Sequence, residues 1–366
     1  MTTYIVIWLI AFASSLSGIF GKYGKPQYSK GLILLLLLLL ACIVAFRVDV
    51  GLDWSSYKLF YYSGYAYDKP DGSVEPLFGL VRDFCYYLGF SHAIFFLILS
   101  YFSLYILYKA ACIMNIKNHF ILFFVYLSLF YCSLQFNIFR TAIMASCLWL
   151  AFAYVSKNNI FKGILWCLLA SGFHYIAILF LPLLFFISVR LNLKWFYGIL
   201  FGAILLFIIN FSASLTSYFP WLLLIDRVEN YVDVDEAESY GMSLGMGFNV
   251  CLCAALRYFY RSKYDENKAF RILLNVLLIN NFLVLSLNSL GIIVARIGQS
   301  LNIAAIFIWP FVFSNLKIGR LKTCIGVFFV LYLALFYYKT WGGEDSDTRK
   351  MLPYTMDVLQ LFDTHL

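Results

Sequence analysis

The sequence predicts an all-α polytopic membrane protein of about twelve transmembrane helices, with amphipathic helices outside the cytoplasm. Three observations predict it. Of 366 residues, 63% are apolar, 20% aromatic and only 13% charged, whereas soluble domains carry about 25% charged residues. The apolar residues gather into runs near the roughly 17–25 residues that a spanning helix needs. The basic residues, finally, are concentrated on one side of those runs.

Along the chain, spans are expected at 4–20, 31–46, 92–110, 118–134, 138–155, 161–173, 175–188, 195–211, 245–260, 272–287, 291–314 and 323–338. No hydrophilic stretch is long enough to stand apart, so residues 1–366 read as a single membrane-embedded domain. The first segment, MTTYIVIWLIAF, lacks a basic n-region and a small-residue cleavage site. It reads as a retained helix. The leucine run at 32–40 is a plain membrane segment, and there is no internal repeat. The nine cysteines form no CxxC pair and fall mostly within apolar runs, as small core hydrophobes do.

Placing alternate loops in the cytoplasm, beginning with Lys22, Lys25 and Lys30, puts 17 of the 27 Lys and Arg there with only Asp265 and Glu266. This is the positive-inside pattern, and it leaves both termini on the periplasmic side. The net charge of +8 is thereby explained by topology, with no nucleic-acid partner. Residues 161–188 could form one long tilted helix, which would invert everything downstream. Lys157 and Lys162 before it, with Arg190 and Lys194 after it, favour a hairpin whose outer tip is Gly172–His174.

Three periplasmic segments follow from this topology. In the first large loop, 47–90, residues Leu77, Leu80, Val81, Phe84 and Leu88 recur at helical spacing. They predict an amphipathic helix lying on the outer leaflet or capping the bundle. The second loop, 212–244, holds SYFPWLLLIDRVENY, read as another interfacial helix with Asp226 and Arg227 as a local ion pair, then the acidic run DVDEAES. The tail 339–366 is mixed and polar.

Ionisable groups in or beside hydrocarbon are costly and mark candidate sites. Arg47, Arg140, His174 and Arg296 all stand at the outer ends of spans, against the topological preference. Arg47, Asp49, Asp53, Trp54 and Tyr57 stand together, with Gly51 letting the chain turn. Carboxylates and flat rings suit a sugar, and an aromatic belt with solvated acids is the plain alternative. Arg140 follows Gln135-Phe136-Asn137; it can clamp a phosphate bidentately or snorkel to headgroups. Arg296, with Gln299 and Ser300, puts three polar groups on one helix face, and the two arginines together suggest one anionic ligand. His174, in SGFHY, is either a hydrogen-bonded structural residue or a general base toward a hydroxyl. Glu75, in SVEPLFG, is another base or an acid at a helix N-terminus. There is no metal signature, Walker A loop, GxSxG or dinucleotide fingerprint, so no cofactor and no metal is expected. Without ATP machinery, chemistry outside the cytoplasm draws on a pre-activated substrate, such as a lipid diphosphate-linked sugar.

RVDVGLDWSSY (47–57), VEPLFGL (74–80), FNIFRTAIMASCLWLAFAY (136–154), ASGFHYIAIL (170–179), VARIGQSLNI (294–303) and LPY (352–354) occur in that order. Together they resemble the EpsG family, the Wzy-type polymerases of O-antigen, capsular and exopolysaccharides. Thr141 stands where that family commonly has Gln, and 195–288 carries little of the resemblance. The resemblance implies polymerisation at the outer face of the bacterial inner membrane. A glycan on undecaprenyl diphosphate would pass to the next lipid-linked repeat unit, with membrane lipids and a chain-length regulator as partners. On that reading Arg140 and Arg296, with Arg47, neutralise the diphosphate leaving group. His174, or otherwise Asp53 or Glu75, accepts the hydroxyl proton, and Trp54, Tyr57, Asn137 and Gln299 line the substrate. Two other classes fit less well. A flippase for lipid-linked oligosaccharides would place ionisable groups at mid-membrane. A lipid-phosphate-sugar glycosyltransferase would use Asp49 and Asp53 with a divalent metal.

Overall fold

The computed structural model describes residues 1–21, 30–64, 74–212, 244–288, 291–317, 319–342 and 351–362. The interfacial helix, the ion pair and the acidic run expected within 212–244 lie outside the described residues. Among the described residues the chain is helical, without strands. In chain order the helices are α1 (Thr2–Phe20), α2 (Lys30–Ala45), α3 (Trp54–Ser63), α4 (Pro76–Tyr87), α5 (His92–Ile113), α6 (His119–Tyr126), α7 (Phe139–Ser156) and α8 (Ile160–Ser171). They continue as α9 (Leu183–Phe186), α10 (Leu193–Ile208), α11 (Leu244–Phe259), α12 (Arg261–Glu266), α13 (Lys268–Ser286), α14 (Gly291–Asn302), α15 (Ala304–Asn315) and α16 (Arg320–Gly342).

Among the described residues, seven segments are long and apolar enough to cross a bilayer: Thr2–Phe20, His92–Ile113, His119–Asn137, Phe139–Ser156, Lys268–Ser286, Val294–Asn315 and Arg320–Trp341. Four apolar helices are shorter, namely Lys30–Ala45, Ile160–Ser171, Tyr175–Phe186 and Leu193–Ile208. The remaining expected span falls on α11. Helix ends follow local chemistry. Side chains of Ser91, Asn159, Asn192 and Asn267 accept the first free amides of α5, α8, α10 and α13, which helix starts leave without partners. Asn115, Asn158 and Asn210 take positive φ just past α5, α7 and α10, where the short amide side chain tolerates the left-handed stop.

The chain divides into two compact units, one of residues 1–181 with 306–366 and one of residues 182–305. In the first, α7 is central: all its residues except Arg140 and Tyr154 are buried. It packs on α5 and α8, with Ser103 and Ser146 hydroxyls 2.9 Å apart across the α5 contact. α1 closes on α6 through Gly18, where a Cβ would lie 2.9 Å from Ile121. The outer surfaces of α1, α2 and α16 expose Leu9, Ile10, Leu35, Leu39, Phe328 and Leu335. Such rows of exposed aliphatic side chains are suited to lipid, not water.

α6 runs on without a break into a π-helical stretch, Leu127–Asn137. Gln135 is buried there and fully engaged, accepting from Ser100 at 3.1 Å and donating to Ser103 at 3.1 Å and Tyr126 at 2.9 Å. The expected hairpin at 161–188 has a turn where it was read. α8 ends at Ser171, a 3₁₀ turn begins at Tyr175, and the Cys167 thiol reaches back to the Ala177 carbonyl at 3.4 Å. One continuous helix is therefore excluded.

α4 forms at the expected place, but its predicted apolar stripe does not cap the bundle. Phe78 and Cys85 face inward at 1% and 0% exposure, while Leu80, Phe84 and Leu88 stand out at 62%, 59% and 47%. Arg82 fixes this orientation by donating to the Tyr61 and Tyr62 carbonyls of α3 at 2.7 and 3.2 Å. The tail is also less free than its polarity suggested. Val48 N and Asp357 N donate to the Thr355 and Phe46 carbonyls, and Met351 is fully buried.

In the second unit α13 packs against α10, α11 and α14. Its Asn275 donates to the Ile187 and Val189 carbonyls, both at 2.8 Å, and Arg271 donates to the Ser188 carbonyl at 2.9 Å. These bonds hold the connection after α9. α14 approaches α13 at Gly298, where a Cβ would meet Val284 at 2.8 Å.

Candidate functional site

Four of the sequence motifs interlock at one end of the first unit. The 47–57 segment leaves α2 through a tight turn in which Asp49 and Gly51 have φ of 51° and 91°. A Cβ on Gly51 would stand 2.6 Å from the Phe136 carbonyl and 3.0 Å from Asn137 Oδ1, so only glycine fits. Asn137 accepts the Leu52 amide at 3.0 Å; it holds the turn instead of facing outward. Asp53 then opens α3 at the N-cap position, and Tyr57 follows one turn later, buried.

Tyr57 connects this turn to α7. Its hydroxyl accepts the Arg140 amide at 3.4 Å, and the Arg140 guanidinium lies 5.9 Å from the centre of its ring. Burial holds the Tyr57 phenol above its ordinary pKa, with Asp53 adding to the rise and Arg140 opposing it. It stays a neutral hydrogen-bonding group. Trp54 is also buried, against the edge of His92 and beneath Lys58.

The VEPLFGL and SGFHY motifs meet each other. Pro76 occupies the first helical position of α4, where its missing N–H costs nothing. The next two amides, of Leu77 and Phe78, donate to the Gly172 carbonyl at 2.9 and 3.4 Å. Gly172 itself lies so close to Leu77 that a Cβ would fall 2.5 Å from Leu77 Cγ and Cδ1. This contact brings Glu75 and His174 together.

Glu75 sits at the N-cap position of α4 but does not cap it. One carboxylate oxygen, Oε2, takes Arg140 Nη1 at 3.0 Å, and the other, Oε1, lies 4.0 Å from His174 Nδ1. The side chains of Glu75, Arg140 and His174 are 3%, 14% and 11% exposed, so water screens this pair far less than a surface ion pair. His174 Nδ1 also accepts the Ile176 amide at 3.5 Å, starting the 3₁₀ turn. A carboxylate, a guanidinium and an imidazole from three distant segments thus converge, groups whose chemistry suits anion binding and proton transfer.

Arg47 is elsewhere in this frame. It is fully buried, and its Nη1 and Nη2 donate to the Gln135 and Phe136 carbonyls at 2.9 and 3.2 Å. Those carbonyls end the π stretch and have no helical partner, so the cation caps a helix C-terminus. Its planar group also stacks 4.9 Å from the Phe136 ring centre. The sequence suggested a contact to diphosphate; the structure places the Arg47 guanidinium on two backbone carbonyls. Tyr354 of the LPY motif belongs to the same cluster, donating to the Ile43 carbonyl at 2.8 Å and stacking on Phe136.

Arg296 and Gln299 belong to the second unit, on α14. Both are half-buried, and Gln299 Oε1 has no hydrogen-bond partner among the described residues. Sequence reasoning overlooked His92. It is fully buried, with Tyr62 OH 2.9 Å from Nδ1 and Gln360 Oε1 3.1 Å from Nε2. Its neighbours in sequence gave no hint, because both partners come from other segments.

Residues 30–356 match the EpsG family. No curated protein and no solved structure matches the chain. With a match over nearly the whole length, and multiple helices able to span a bilayer, the chain belongs to the EpsG family of membrane proteins with a role in exopolysaccharide biosynthesis.

Proposed function

We propose that this protein is a polysaccharide repeat-unit polymerase of the Wzy type. It transfers a growing glycan from undecaprenyl diphosphate onto the next lipid-linked repeat unit. The reaction runs at the outer face of the bacterial inner membrane, in a twelve-span topology with both termini outside. The observation that carries this reading is the convergence of the Glu75, Arg140 and His174 side chains, 3%, 14% and 11% exposed. Glycosyl transfer from a diphosphate needs positive charge where the leaving group departs and a base where the acceptor hydroxyl loses its proton. Arg140 supplies the first and the Glu75–His174 pair the second. Asp53, one turn from Tyr57, is an alternative base. In its own unit, Arg296 is a separate candidate for an anionic group.

The test is the polysaccharide ladder of cells carrying Arg140→Ala in place of the native residue. The expected result is one repeat unit per lipid anchor at unchanged protein level. Normal chain length would remove Arg140 from the mechanism, and complete loss of surface material would favour a flippase or an upstream enzyme. Arg296→Ala in the same assay tests the second arginine, and loss of polymerisation on adding EDTA would favour the metal-dependent glycosyltransferase.

A further inference from the structure

We propose that the second unit carries a sugar-binding subsite, built from side-chain amides of α11, α13 and α14, that recognises hydroxyl groups of the lipid-linked repeat unit. The inference rests on the polymerase reading, which supplies the ligand, and adds a place for its glycan. Beyond Asn275, these three helices hold five carboxamides: Asn249 on α11, Asn280 and Asn281 on α13, and Gln299 and Asn302 on α14. Asn281 Nδ2 donates to the Asn249 carbonyl at 3.3 Å, and Asn249 Nδ2 donates to Asn302 Oδ1 at 3.2 Å. This chain of bonds ties the three helices together.

Two oxygens are left over. Asn280 Oδ1 and Gln299 Oε1 have no hydrogen-bond partner among the described residues. Asn280 Oδ1 stands over Gly298, the residue before Gln299, at 3.5 Å from the position a Cβ would take. Asn275, nearer the start of α13, shows how a structural amide behaves in this unit. Its nitrogen serves two carbonyls, and its oxygen accepts the Tyr264 hydroxyl at 2.8 Å. An amide that only joins helices uses both ends in that way, because a buried acceptor left without a donor destabilises the fold.

Depth and accessibility narrow the ligand. Gln299 and Asn302 stand five and eight residues past Val294, where a span begins, about 7 and 12 Å along the helix. Both are half-buried, as is Asn249. Amides accessible at that depth do not face hydrocarbon, where each unmet polar group is costly. They face water or a polar ligand. A phosphate takes donors alone and a cation takes acceptors alone, whereas a carboxamide offers both from one planar end. A sugar hydroxyl is likewise donor and acceptor at once, so neutral amides match a glycan. The spare oxygens are acceptors for hydroxyl protons. Gln299 takes no part in the Asn281–Asn249–Asn302 chain, so its amide can turn to a ligand without loosening the helices.

The full-length protein in lipid nanodiscs tests this with two probes. One is the lipid-linked repeat unit extracted from cells lacking the protein. The other is undecaprenyl diphosphate, which shares the lipid and the diphosphate but carries no sugar. Gln299→Met keeps the size of the side chain and breaks no bond of the helix-joining chain. It is expected to weaken repeat-unit binding and raise KM about tenfold, the worth of one or two hydrogen bonds. Affinity for undecaprenyl diphosphate should not change, and the thermal midpoint should stay at or above native. Should that variant fail to accumulate, Gln299→Ala carries the same test. Repeat-unit affinity within about twofold of native overturns the subsite. So does an equal loss of affinity for both probes with a lower midpoint, which marks an amide that serves the fold. The polymerase reading fails separately. Native protein that binds the repeat unit through Gln299 and never lengthens it keeps the subsite and loses that reading, while polymer made by Gln299→Met at native KM does the reverse.

Discussion

Gly172→Ala separates the architecture of the site from its chemistry. The glycine has φ −70° and ψ −17°, a conformation alanine adopts freely, so any effect comes from the added methyl alone. That methyl would stand 2.5 Å from Leu77 Cγ and Cδ1 and 3.1 Å from Leu77 Cβ. Because Cβ is also crowded, rotating the leucine side chain does not relieve the contact, and the start of α4 must move. Overpacking of this kind costs about 1–3 kcal/mol, and loss of the Leu77 amide bond to Gly172 adds about 0.5–1.5 kcal/mol. Leu77 is two residues from Glu75. Displacement of a reacting group by 1 Å can cost about a hundredfold in rate, so polymerisation should fall by roughly that factor, with a lower thermal midpoint. Leu77→Ala removes the atoms that clash. The double variant should recover at least tenfold over Gly172→Ala, a coupling of about 1.4 kcal/mol or more. Initial rates on lipid-linked repeat units and thermal unfolding in detergent measure both quantities. Gly172→Ala within threefold of native rate, or no recovery in the double variant, would refute the claim that this contact sets Glu75.

Arg47→Met should destabilise the protein before it affects substrate, at roughly 1–3 kcal/mol for each carbonyl left without a donor; a stable variant that makes no polymer would return Arg47 to substrate binding. Gly51→Ala combines a φ of 91° with a 2.6 Å approach to the Phe136 carbonyl, so a drop in thermal midpoint equivalent to at least about 1–2 kcal/mol is expected. A fluorophore at position 80 or 84 should be quenched by nitroxide lipids, and one at Asp83, whose side chain is 70% exposed, by an aqueous quencher. Aqueous quenching alone at position 80 would take α4 off the membrane.

The spans were legible because apolar runs near 20 residues have one physical outcome in a bilayer. The turn at 172–174 was legible because basic residues flanked both ends of 161–188. Composition does not distinguish an α-helix from the π-helical turns at 127–137, so the carbonyls that Arg47 caps could not be foreseen. The lone Gln135 in an apolar run was the one available signal, since a buried amide there must find partners. The stripe on α4 was read as a face that either lies on the outer leaflet or caps the bundle, and its exposure leaves the first of the two. Sequence spacing tells which residues share a side, and only Phe78, Cys85 and the Arg82 bonds to α3 tell which side faces in. Glu75, His174 and Arg140 were each picked out singly. Their meeting depends on the contact of Gly172 with Leu77, a long-range approach that no local pattern encodes.

Arg47 and Arg140 show what a sequence leaves unsorted. Both stand beside aromatic residues at the ends of spans, and both were candidates for the same phosphate. The structure gives Arg47 two backbone carbonyls as partners, with no exposure at all. A ligand reaching it would have to orphan those carbonyls and open the clamp formed by α2, the π stretch and the C-terminal segment. Arg140 instead pairs with a carboxylate, a charge that, on the proposed reading, a diphosphate would replace in kind. The cation fit for a binding step is therefore the one whose acceptor can be exchanged without unmaking a helix end. By that criterion the proposed function would draw on Arg140 for chemistry and on Arg47 for the fold.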